Sequence, residues 1–169
     1  MFSPGVFMFE MELAIRDMGK FLDDYFGITE RVEAIKRITK ELFNYTYIPE
    51  ESTFDYEREI IYFSIPVKKI PKFKIWPVYE EAIRQYLGAD WVTLFVMITN
   101  EDYPNEKIAN GNSKLEEIIS KVRKLGFDKF FINYQSRTQM DIWCHKVYYR
   151  DEKTDIKVYL ILSVSISRS

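Results

Sequence analysis

Two adjacent carboxylates, Glu101 and Asp102, follow the apolar run Trp91–Ile98 with only Thr99 and Asn100 between them. Hard divalent cations such as Mg2+ or Mn2+ take oxygen ligands of this kind, with water or substrate completing the shell. A little further on, Asn112 and Ser113 open a helical pattern, and the free N–H groups at a helix start favour an anion or a phosphate. Asn100, Glu101, Asp102, Asn112 and Ser113 therefore form a candidate ligand site, on the premise that Trp91–Ile98 is a buried parallel strand whose carboxyl end meets a crevice. The intervening segment lacks the glycine pattern of a phosphate cradle and contains the turn pair Asn110-Gly111. Its competing reading is a polar surface loop.

A second cluster lies in Val67–Pro77, where Lys68, Lys69, Lys72 and Lys74 are interleaved with Phe73 and Trp76. Lysines neutralise phosphates and aromatic rings stack on bases, the composition of a single-stranded nucleic-acid contact, which the prolines would hold extended. Against it, Glu80 and Glu81 follow at once, and a lone basic loop can equally turn its rings inward.

The chain's only cysteine and only histidine are neighbours, Cys144 and His145. Adjacent side chains on a strand point to opposite faces, so they cannot act as nucleophile and base. Cys144 shares a face with Met140 and Ile142 and reads as core. Asp141 and His145 share the other face, but four strand steps separate them by roughly 13 Å, too far for the Asp–His bond of a triad. One Cys and one His also leave no S/N zinc set within a subunit.

The elements that must carry these residues follow from periodicity. Met8–Phe26 repeats apolar residues at three and four and ends at Gly27; a second helix runs from an N-cap at Thr29 to about Asn44, with Val32, Ile35, Ile38, Leu42 and Phe43 buried. Phe54–Ile65 reads as one strand closed by Pro66. Pro77 opens a helix that carries Val78, Ala82, Ile83, Tyr86 and Leu87 inward and ends at Gly88. Trp91–Ile98 shows almost no alternation and reads as the central strand. Ser113 and Glu116 have the spacing of a capping box for a helix ending at Gly126. Strands then run over Asp128–Gln135, Thr138–Arg150 and Asp155–Ile166, the last two joined by the polar turn RDEKTD.

The order ααβαβαβββ predicts a single α/β or α+β domain over residues 1–169: a mixed sheet of about five strands with flanking helices, parallel in its βαβαβ middle, and a C-terminal antiparallel hairpin. An N-terminal helical pair over 1–50 is expected to pack on the body at 51–169. The long last strand, with Tyr159 and Ile161 on its less apolar face, is a candidate interface if it lies at a sheet edge, where a second copy could pair with it.

Composition bounds the function. A chain of 169 residues that is 47% apolar and 17% aromatic has ample core material. Its net charge of −2 gives no general attraction for a polyanion, although the part up to Ser64 carries −6 and the remainder +4. A single cysteine excludes an intramolecular disulfide and fits a reducing compartment. The start MFSPGVFMFEMEL has no basic lead-in and meets Glu10 and Glu12 early, unlike a signal peptide, so a cytoplasmic protein without membrane association is expected. Usual catalytic side chains are scarce or wrongly spaced. The sequence thus favours a small, soluble, non-catalytic binding or assembly protein, homo-oligomeric and without a cofactor. One alternative is a metal-dependent phosphodiester or nucleotide hydrolase using Glu101 and Asp102 with Mg2+ or Mn2+. Another is a single-stranded nucleic-acid-binding module using the Lys68–Lys74 loop.

Overall fold

Apolar residues at three and four in Val32, Ile35, Ile38 and Leu42 fold Ile28–Phe43 into α1, the first element of a computed structural model that describes Met11, residues 28–108 and residues 112–168. The expected Met8–Phe26 helix, the N-terminal partner of the pair, lies outside the described residues apart from Met11. α1 begins at Ile28, so Thr29 is inside the helix rather than its cap. It ends at Phe43, and Asn44 then takes the left-handed conformation (φ 51°) and donates its N–H to the Lys40 carbonyl.

The segment expected to be one strand is a hairpin, β1 (Thr53–Asp55) and β2 (Ile60–Pro66). Asp55 makes the turn: its carboxylate accepts from the backbone N–H groups of Glu57 and Arg58, at 3.1 and 3.2 Å. The sheet therefore has six strands, not five. Two 3-10 turns follow, Val67–Lys69 and Pro71–Phe73, where an extended segment was expected. They lead into α2 (Trp76–Leu87), which has a proline in its first turn and a left-handed Gly88 (φ 69°) at its end. Trp76, Ile83 and Leu87 are its inward side, whereas Val78 is 75% exposed and Tyr86 also faces out, contrary to the predicted stripe.

β3 (Trp91–Thr99), α3 (Ser113–Lys124), β4 (Lys129–Gln135), β5 (Gln139–Asp151) and β6 (Ile156–Ser167) complete the order. The strands lie β1-β2-β3-β6-β5-β4, and every ladder is antiparallel. The expected parallel middle is absent. The predicted C-terminal hairpin is present, but its last strand does not lie at a sheet edge: β6 inserts between β5 and β3, with Trp91 opposite Ser165 and Thr99 opposite Lys157. The physical reason is burial: β6 has almost no exposed position on either face, and a strand apolar on both sides is most stable where both edges are paired and both faces are covered.

The sheet separates two hydrophobic clusters. On one face Ile61, Phe63, Val96, Ile98, Ile142, Cys144, Val158 and Leu162 pack with Ile35 and Ile38 of α1, Leu87 of α2, and Leu115, Ile118 and Val122 of α3. The other face holds a smaller cluster built on Met97, Tyr159 and Ile161, to which no described helix contributes. Irregular pairing between Val147 and Tyr149 changes the alternation, so Tyr149 joins the helical side while Val147 stays with the smaller cluster.

Candidate functional site

The polar residues after β3 are the anchors of a strap that crosses the helix-free face of the sheet. Asn100 plugs the start of β2: its side-chain oxygen accepts from Ile61 N–H at 3.0 Å and its amide donates to the Glu59 carbonyl at 3.0 Å. Glu101 pairs with Arg58, its N–H donates to Thr99 Oγ1 at 2.9 Å, and its carbonyl accepts from Tyr159 Oη at 3.1 Å. Asp102 meets Lys157 Nζ at 2.9 Å, which holds this carboxyl below its ordinary pKa. Lys157, fully buried, also donates to the Asn100 carbonyl at 3.1 Å. Beyond Tyr103 the strap reaches the sheet margin, where Glu106 N–H donates to the Phe130 carbonyl at 2.7 Å and Asn105 accepts from Phe130 N–H at 3.1 Å. This also blunts part of an edge strand.

With the sheet antiparallel, the carboxyl end of β3 is not the crevice of a parallel α/β sheet, and the candidate ligand set loses that basis. Glu101 and Asp102 direct their charges at Arg58 and Lys157, and among the described residues no three His, Cys, Asp or Glu side chains come together. Asn112, not Ser113, caps α3: its side chain accepts from Leu115 N–H at 3.1 Å, which places Ser113 at the first helical position.

The basic loop is divided in the same way. Phe73 turns toward Phe43, with ring centroids 6.5 Å apart, and Trp76 packs on the core while its indole donates to Glu80 at 2.7 Å. Lys72 donates to Tyr148 Oη at 2.7 Å; Lys68, Lys69 and Lys74 are exposed. Tyr159 and Ile161 are buried in an interior strand whose two edges are already paired, so the edge-pairing argument for an interface does not apply to them.

What the sequence reading missed is the face that the strap crosses. Tyr62, Met97, Tyr103, Phe131 and Trp143, with Arg58 and Glu101 at the rim, line a cleft of about 330 Å³. Beneath it lies His145, wholly buried, with neither ring nitrogen hydrogen-bonded. Burial pushes its pKa down from 6.5 to about 4, helped by the positive charge of Lys129 and opposed by Asp128 and by the nearby Trp143 backbone, whose approach falls short of hydrogen-bond geometry, so the ring is neutral at pH 7. Burial raises the Tyr103 and Tyr159 hydroxyls above their ordinary values and pushes the Cys144 thiol, on the opposite face, up to about 12. Cys144 is thus an inert core residue. The available signal was the run of rings at outward positions, Tyr62, Phe95, Trp143 and Tyr159, where a solvated sheet face would carry polar side chains.

A larger cleft of about 470 Å³ adjoins the first, lined by Lys68, Trp76, Pro77, Trp91, Thr93 and Phe95 among others. Phe95 meets Trp143 edge-on at 5.1 Å and so stands between the two. No helix among the described residues is long and apolar enough to cross a membrane. No protein-family description, no curated protein and no solved structure matches the chain. A two-layer α/β chain with an aromatic cleft on its helix-free face is the class these features define, and the cleft's chemistry carries the functional reading.

Proposed function

We propose that the chain is a small binding protein that holds a planar, largely apolar molecule in the cleft between Tyr62, Trp143 and Phe131. The observation that carries this reading is the opening of several aromatic side chains onto one concave space with a charged rim, the usual make-up of a small-ligand site. Arg58 and Glu101 neutralise each other there, which suits an uncharged ring better than an ion. The site contains no nucleophile paired with a base, and the proposed activity is binding without chemistry. Trp143 reports occupancy. In a Trp76→Phe, Trp91→Phe variant it is the sole tryptophan, and titration with p-cresol or indole should change its emission saturably with a Kd at or below about 1 mM. A linear, unsaturable response would end this reading.

A second reading rests on the adjoining cleft. Lys68 at one rim and Arg58 at the other flank a line of rings, an arrangement suited to a short single strand with stacked bases. A short oligothymidylate should then quench Trp91 and Trp143, with affinity falling steeply as salt rises. Self-association is supported by Ile75, Val78 and Tyr79, which are exposed at the start of α2. Light scattering should show a mass above that of one chain, and a concentration-independent monomer would remove the homo-oligomer.

A further inference from the structure

Tyr103 is held as a bound ligand would be held. Its ring stacks on Phe131 at 5.3 Å and 15°, and meets Tyr159, His145 and Trp143 edge-on at 4.9, 5.8 and 5.9 Å. The four surrounding rings do not need it to define the space. Phe131 contacts Trp143 at 5.5 Å and His145 at 5.4 Å, and His145 contacts Tyr159 at 5.7 Å, all from strands β4, β5 and β6. The cage is therefore part of the sheet, whereas its occupant arrives on an irregular strap. The cage wall also contains a polar group that the occupant leaves unanswered. Burying an imidazole with both nitrogens unpaired is costly, and a purely structural aromatic cluster would do better with phenylalanine at this position.

From these two observations the geometry points to a cage that receives a small phenol supplied from outside, with Tyr103 as its internal stand-in and His145 as the partner of the incoming hydroxyl. A neutral imidazole offers one donor and one acceptor, and a phenolic hydroxyl can use either. The stand-in must swing out first, so free-chain affinity is reduced by the cost of opening, and the Glu101 and Glu106 amide bonds report that opening. This inference rests on the cleft as the ligand site and names the ligand class.

The test compares p-cresol with toluene, its hydroxyl-free counterpart, on the intact chain. With p-cresol, amide exchange at Glu101 and Glu106 should quicken, the His145 ring nitrogen resonances should shift, and p-cresol should bind about tenfold more tightly than toluene, the size of effect expected for one added buried hydrogen bond. Tyr103→Leu, which keeps an apolar side chain on the strap, should tighten p-cresol binding by removing the competitor. His145→Leu should erase the preference for p-cresol over toluene. A saturable Trp143 response with unchanged exchange at Glu101 and Glu106 would leave the cleft as a ligand site and overturn the cage. Binding by Tyr103→Leu alone, with an unresponsive parent chain, would also overturn it, because any vacated apolar space accepts a small aromatic. Equal affinity for the two probes would remove His145 from the site.

Discussion

Replacing His145 by phenylalanine should make the protein more stable, and most of all in mild acid. The imidazole is fully buried and both nitrogens lack a partner. Removing two unanswered polar atoms in favour of ring carbons recovers desolvation cost, about 1–2 kcal/mol at pH 7 after allowing for the slightly larger ring. The pH dependence adds to this. His145 has a folded pKa of about 4 against an ordinary 6.5, so between these values the unfolded chain binds the proton and the folded chain does not. Stability in that window rises with pH: proton linkage adds no penalty above about 6.5, and the added penalty grows as pH falls toward 4. A gap of this size corresponds to roughly 3 kcal/mol in full. The ring lies only one layer beneath solvent, so about half, 1–2 kcal/mol, is the expected penalty once screening is allowed for. Urea unfolding at pH 7.5 and pH 5 measures it, and carboxylates contribute little there because their ordinary pKa values lie lower. His145→Phe should show a shallower loss between the two pH values than the parent chain, by about 1 kcal/mol. Parallel losses in the two proteins would show that His145 is solvated or hydrogen-bonded, and the argument for a desolvated cage would go with it.

Asn100→Ala removes both hydrogen bonds at the start of β2 and should cost about 2–3 kcal/mol by the same unfolding measurement, far more than an ordinary surface substitution. Asn112→Ala should lower stability by about 1 kcal/mol through loss of the α3 cap, while Ser113→Ala should stay within about 0.5 kcal/mol; the reverse order would restore the capping box at Ser113. Lys157→Met keeps the buried stem and removes the charge that ties Asp102, Asp155 and the Asn100 carbonyl, and neither carboxylate is left buried. Its effect on global stability should be within about 1 kcal/mol, but amide exchange at Glu101 should quicken.

Local chemistry was legible wherever one element settles the question by itself. The buried stripe of α1, the proline start and glycine end of α2, the length and facing of β5 and β6, and the burial of Cys144 all follow from spacing, because period 3.6 or 2 fixes which side chains share a face. Even so, a one-residue error moved the cap from Asn112 to Ser113, since both are good caps and the choice depends on where the loop delivers the chain. The turn that splits β1 from β2 went unread because it uses Asp55 and a left-handed Glu59 in place of glycine.

Partnership between distant segments was decided only in three dimensions. Five antiparallel ladders, with β6 between β3 and β5, could not be inferred from the order of elements, because a backbone edge pairs equally well with any strand and only the burial of the whole chain selects one. The same holds for the polar run after β3. Its carboxylates and amides look like a site when Arg58, Lys157 and Ile61 are unseen, and become fastenings once those partners lie beside them. Composition announced an excess of aromatic rings. It took the crossing of the sheet by one short strap to gather four of those rings, Tyr103, Phe131, Trp143 and Tyr159, around a histidine.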